Sequence, residues 1–120
     1  MREIKFRAWN KKLRFMDSAW LIDWEHELVC HSKHNQSDLK DCVLLQYTGL
    51  KDKNGVEVYE GDIIRDVDCL SLWKVFYGDG AFHVRGGEYN LSGHLNEWAP
   101  DHCEVIGNIY ENPELLEATK

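Results

Sequence analysis

The chain has 120 residues, 43% of them hydrophobic and 29% charged, with a formal net charge of −7 and a mean hydropathy of −0.51. That length suits one domain, residues 1–120, whose core removes roughly two-thirds of the unfolded chain's surface from water; five Trp, five Tyr and four Phe lean the composition towards β structure. The acidic balance opposes general binding to phosphate backbones, and no apolar run approaches the roughly 20 residues needed to cross a bilayer.

Ile4, Phe6 and Ala8 alternate with Lys5 and Arg7, the period of a strand with one wet face. Asn10-Lys11-Lys12 breaks the pattern and Leu13–Met16 resumes it, which predicts a first hairpin with Phe6 and Phe15 on its buried side. Ala19–Ile22 and Leu28–Cys30 are two further short strands of a meander, and the polar stretch His31–Asp41 reads as a surface loop. Val43–Tyr47 returns to strand character and leads through Thr48-Gly49-Leu50 into Lys51-Asp52-Lys53-Asn54-Gly55. Asn54 and Gly55 tolerate the positive φ of a tight turn, and Asp52 can accept from amides two residues on. Gly61-Asp62 predicts a sharp bend before the strand containing Ile63 and Ile64, with Asp62 bonding the backbone of that bend.

Ser71–Tyr77 and Ala81–Val84 flank Gly78-Asp79-Gly80, a hairpin signal. Cys103–Tyr110 is the last predicted strand, with Gly107 allowing a bulge. Asn112-Pro113-Glu114 then starts a helix of one to two turns, with Asn112 as N-cap, Pro113 at its first position and Leu115 and Leu116 packed inward. The fold class expected is mainly β: a small, partly open β-barrel, SH3-like or related, with long hairpins and a short C-terminal helix.

The polar start at Met1–Arg7 has no leader-peptide core, so the chain is expected in the cytoplasm with its four cysteines as free thiols. His26, Cys30, His31 and His34 cluster in sequence, with Cys42 and His102-Cys103 further on, but no pair of ligand pairs at zinc spacing occurs, so neither metal nor cofactor is expected. Asp52, Asn54 and Gly55 match only part of a calcium loop. Cys30-His31 and His102-Cys103 are neighbours that would point to opposite faces of a strand, and a pairing of Cys103 with His83 across strands stays open. There is no nucleophile elbow and no phosphate-binding glycine loop, and the expectation is that the chain is not an enzyme.

Residues 2–14 hold six basic residues against Glu3, so the remainder is more acidic than the whole. Arg7, Lys11, Lys12 and Arg14, interleaved with Phe6, Trp9 and Phe15, form a candidate charge-and-stacking surface for nucleic acid. The same separation of charge would let subunits attract each other, which points to a homo-oligomer.

Four stretches resemble the YopX-like family of small phage and prophage proteins: Met1–Trp9, Leu45–Gly55, Val58–Ile64 and Val105–Leu115. The resemblance implies a compact β-rich fold with a barrel-like part, in a phage-encoded protein acting in the bacterial cytoplasm; beside it, the charge separation and the edge strands of an open barrel lead us to expect contact with itself or with a phage or host protein. The resemblance implies no activity and supplies no catalytic residue. Its recurrent residues are turn formers, here Gly49, Asn54, Gly55, Gly61, Gly107 and Pro113, and core aromatics.

Overall fold

The computed structural model describes residues 4–87, 91–95 and 102–117. The chain divides into two compact units, Met1–Tyr47 and Thr48–Lys120. The first carries β1 (Phe6–Asn10), β2 (Phe15–Asp23), β3 (Leu28–His31), β4 (Gln36–Asp38), a 3-10 turn at Leu39–Asp41, and the start of β5 (Cys42–Lys51). The second carries the end of β5, then β6 (Glu57–Tyr59), β7 (Asp62–Asp66), β8 (Leu72–Gly78), β9 (Ala81–Gly86), β10 (Leu91–His94), β11 (Cys103–Asn108) and the one-turn helix α1 (Glu114–Glu117). The strands form a six-stranded sheet ordered β4-β3-β2-β1-β5-β6 and a five-stranded sheet ordered β10-β9-β8-β7-β11. Neither sheet closes into a barrel, so the expected mainly β, partly open fold holds.

In the first unit β1 lies between β2 and β5, pairing antiparallel with both. That central place explains why Ala8, Trp9 and Asn10 are all buried, although the alternation in the sequence predicts one wet face. The segment His31–Asp41 is not the simple loop expected. Gln36–Asp38 is a strand paired with β3, Val29 facing Ser37, and both His31 and Ser37 are buried. The strand escapes a hydrophobic pattern because its one buried residue is a serine whose hydroxyl is satisfied by side-chain hydrogen bonds.

In the second unit Val58, Ile64, Trp73, Val75, Val84, Leu95 and Cys103 form one core cluster. It is mostly aliphatic. Trp9, Tyr47 and Trp73 are buried, whereas Trp20, Trp24 and Tyr77 are exposed, so the aromatics fill less of the interior than the composition suggests.

Of the predicted turn formers, Gly55 and Gly61 lie at turns, whereas Gly49 lies inside β5 and Gly107 inside β11. Gly49, Gly55 and Gly61 have φ of 87°, 81° and 88°. Asn54 does not share the left-handed region with Gly55; the loop closes instead as a turn from Asp52 O to Gly55 N (3.0 Å) followed by one glycine with positive φ. Asp52 Oδ1 accepts from the amides of Asn54 (2.8 Å) and Val56 (2.9 Å), and its Oδ2 accepts from Val105 N (2.8 Å). Asp62 Oδ2 accepts from Tyr59 N at 2.7 Å, bonding the bend as expected. The pairing of β11 with β7 shifts register between Val105 and Gly107, the predicted bulge. Gly107 is needed there for space, since a Cβ would meet Asn112 Oδ1 at 2.5 Å. That oxygen faces back to accept from Asn108 N (3.2 Å), while Leu115 N bonds the Asn112 backbone carbonyl (3.1 Å).

Candidate functional site

Two loops of the same construction flank β2. In the first, Asn10 O accepts from Arg14 N (2.7 Å) and Asn10 Oδ1 accepts from the amides of Lys12 (3.0 Å) and Leu13 (2.8 Å). In the second, Asp23 Oδ1 accepts from His26 N (3.0 Å) and Asp23 Oδ2 meets His26 Nδ1 at 2.8 Å. The His26 amide, and then its ring, hold the Asp23 carboxyl below its ordinary value. Each loop has four residues between a paired couple, Asn10 with Phe15 and Asp23 with Leu28. Each ends on a residue in the left-handed region, Arg14 at φ 58° and Glu27 at φ 55°. An Asn or Asp side chain replaces the strand ladder as acceptor for the loop's amides, which is why no glycine is needed to start either loop.

The scaffolds match and the side chains are opposite in character. Lys11, Lys12, Leu13 and Arg14 are exposed on one loop; Trp24, Glu25, His26 and Glu27 are exposed on the other. Next to the acidic loop, the register of β2 against β3 jumps from Ala19–His31 to Leu21–Cys30, making Trp20 the extra residue of a β-bulge. Its Nε1 donates to His31 O at 3.1 Å, which fixes the ring with 66% of Trp20 exposed. Trp24 is 67% exposed and Leu21 is 41% exposed on the same hairpin.

Behind the basic loop lies a chain of buried polar groups. His31 Nδ1 donates to Ser18 O (3.1 Å), which leaves His31 Nε2 to accept from the Ser37 hydroxyl (2.8 Å), and Ser37 Oγ accepts from Asn10 Nδ2 (2.9 Å). Asn10, Ser37 and Lys12 are among the residues lining an open depression of about 210 Å³. The Ser37–His31 spacing is that of a nucleophile and its base. Yet Ser37 is only 5% exposed, and the Lys12 and Leu13 amides are bound to Asn10 rather than aimed at an oxyanion. The chain ties the β1–β2 loop to β3 and β4. Asp17, also buried, accepts from the amides of Ser18 (2.8 Å), Lys33 (2.7 Å) and His34 (2.9 Å) and from His34 Nδ1 (3.0 Å). Burial pushes its carboxyl up, but these hydrogen bonds outweigh that and bring it down to about 2.

Of the four basic candidates, Lys11, Lys12 and Arg14 come together on one loop, whereas Arg7 lies half-buried within β1. Their aromatic companions are less available than the sequence suggests: Trp9 is buried, with the Arg14 guanidinium 5.5 Å from its ring, and Phe15 stacks on His34 at 3.9 Å. Cys30 and His31 sit on opposite faces of β3, only His31 being buried. Cys103 and His83 are not brought together, since β7 and β8 lie between their strands. Burial, and then the charge of Asp52, push the Cys103 thiol up to about 12, leaving it unreactive. Among the described residues no group of three or more His, Cys, Asp or Glu side chains is placed to hold a metal ion. No described helix is long and apolar enough to cross a membrane. The anchoring of the two loops and the bulged Trp20 were missed in sequence; for the loops the usable signal was an Asn or Asp five residues before each strand restart.

These features define a small, open, antiparallel β protein whose exposed chemistry lies on the loops at the two ends of one long strand. Residues 5–117 match the model of the YopX protein family, and the chain belongs to that family. Protein EF1440 from Enterococcus faecalis is similar in structure, with a TM-score of 0.71 and 28% identity over 97% of this chain and 99% of that one. Protein yopX from Bacillus subtilis is similar in fold, with a TM-score of 0.62 and 22% identity over 100% of both chains. Comparison with curated proteins finds no match.

Proposed function

We propose that this chain is a non-enzymatic accessory protein of a phage or prophage that works in the cytoplasm of the bacterial host by protein–protein contact, including contact with further copies of itself. The observation that carries the reading is the pair of two-thirds exposed indoles, Trp20 and Trp24, on one hairpin. Exposed large apolar side chains grouped together mark interaction surfaces, and Trp is the residue type most enriched at their energetic centres. Trp20 is held outward by a bulge and a hydrogen bond, so little rotamer freedom is lost on binding. Family membership supports a phage setting. Light scattering across a concentration series at low and moderate salt tests the reading: a mass above that of the monomer, rising with concentration, is expected. A strict monomer throughout removes the self-association.

A second reading is favoured by Lys11, Lys12 and Arg14 standing exposed on one loop. Three clustered cations can hold a phosphate backbone, with the steep salt dependence that counterion release imposes. Fluorescence anisotropy with a labelled single-stranded oligonucleotide at low salt tests it, using a variant with Arg7, Lys11, Lys12 and Arg14 changed to Glu. Binding lost in the variant supports the reading; no binding by the parent, or equal binding by both, ends it.

A further inference from the structure

We infer that copies of this chain associate head to tail, the basic β1–β2 loop of one seating on the acidic, aromatic β2–β3 hairpin of the next. The inference rests on the self-association proposed above and assigns its surfaces. The occupant is argued from complementarity. One loop presents an apolar knob, Leu13 (68% exposed), among Lys11, Lys12 and Arg14. The second half of β2 and the hairpin that follows carry the exposed apolar side chains Trp20, Leu21 and Trp24, with Asp23, Glu25 and Glu27 along the same stretch. Cations beside indole faces gain a cation–π attraction that they do not gain from aliphatic surface, and the carboxylates of that stretch draw in the same cations.

One copy cannot satisfy both ends itself. β2 has nine residues, which sets the two loops roughly 30 Å apart at about 3.3 Å per residue. Both loops are pinned at their bases by the Asn10 and Asp23 side chains, so neither has slack to swing towards the other. The contact is therefore between copies. It joins two different surfaces, so two copies with antiparallel β2 strands can satisfy both contacts at once in a closed dimer; otherwise growth ends in a larger ring or continues as a filament. Like charges within each loop also oppose a two-fold arrangement in which the same loops meet.

The test uses two blocked variants of the full chain. One loses the basic loop (Lys11→Glu, Lys12→Glu, Arg14→Gly, the glycine suiting the φ of 58° there); the other loses the exposed indoles (Trp20→Ser, Trp24→Ser). Multi-angle light scattering at low salt is expected to show the parent as an assembly that shrinks as salt rises. Each variant alone should have the mass of a 14.1 kDa monomer, and their equimolar mixture should form a 1:1 dimer, because each retains the surface that the other lacks. Circular dichroism checks folding; if either variant unfolds, Lys11→Glu with Lys12→Glu and Trp24→Ser alone are read the same way. A parent that is monomeric at every concentration overturns this inference together with the reading on which it rests. Parent-like assembly by either variant, or blocked variants that fail to pair when mixed, overturns the head-to-tail contact while self-association through another surface stands. Parent-like assembly by the basic-loop variant, coupled with loss of oligonucleotide binding, overturns it in favour of nucleic acid at that loop.

Discussion

The units Met1–Tyr47 and Thr48–Lys120 bury different chemistry. In the second, a continuous aliphatic cluster around Ile64, Val75 and Val84 makes the interior, and the buried polar residues Thr48, Asp52, Asp62 and Asn108 mainly fasten turns to the backbone. In the first, fewer apolar side chains are buried, and Asn10, Ser37 and His31 bond one another across strands instead. The surfaces differ in the opposite sense. Ile4, Leu13, Trp20, Leu21 and Trp24, five of the eight exposed large hydrophobics among the described residues, belong to the first unit. Apolar area left in water contributes nothing to folding and is available for association. The second unit thus invests its hydrophobic residues in stability, and the first keeps a large share on its surface and relies on directional hydrogen bonds for its shape.

The comparison is broken most forcefully from the apolar side. Ile64→Ala should lower unfolding free energy by about 3 kcal/mol, since a fully buried side chain leaves a cavity behind; a shift in the urea midpoint with unchanged slope measures it. A loss below about 1 kcal/mol would mean that the aliphatic cluster is not what holds the second unit. Next comes Asp17. Its carboxyl sits at about 2 when folded against an ordinary 3.8. A depressed folded value means stability that is fully present above the unfolded value and is lost as pH falls from near 4 through 2. That difference corresponds to about 2 kcal/mol. Urea titrations between pH 6 and 2 should show the gap between the parent and Asp17→Asn narrowing over that window. A gap independent of pH would assign Asp17 a purely steric role. Ser37→Ala follows, at about 1–2 kcal/mol, because it strips His31 Nε2 and Asn10 Nδ2 of the Ser37 hydroxyl in a buried setting. The same assay measures it, and a neutral result would show the polar chain to be incidental to the first unit.

The second unit was the more legible in sequence, and for a physical reason. Its turns use glycine where φ is positive, as at Gly55 and Gly61, or close as Asp79-Gly80 with φ of 50° and 79°, and β8 alternates buried Trp73 and Val75 with less buried neighbours. The first unit hid its design. Asn10 and Asp23 begin loops by side-chain capping, a role that leaves no trace in hydrophobic period. β4 buries a serine, so Gln36-Ser37-Asp38 looks like loop. The basic cluster was visible as charge, but its separation from Arg7 and the burial of Trp9 depend on β1 being a central strand, which pairing alone decides. The Trp20 bulge depends on register against β3 and had no local signature.

The smallest effect separates the two kinds of glycine in the second unit. At Gly55 a Cβ would meet nothing within 4 Å, so Gly55→Ala tests backbone conformation alone. With φ at 81° the cost should be about 1 kcal/mol. Gly55→Asn should recover part of it, because Asn enters the left-handed region more readily than Ala. At Gly107 no positive φ is involved, and a Cβ would press on Asn112 Oδ1, which bonds Asn108 N. There Asn should be no better than Ala, since any side chain occupies the same space. Denaturation of the four variants decides it. Equal losses for Ala and Asn at Gly55 would show that the loop is held by Asp52 in a way that makes the glycine dispensable. A rescue by Asn at Gly107 would show that the bulge, too, is governed by φ rather than by the approach of Asn112.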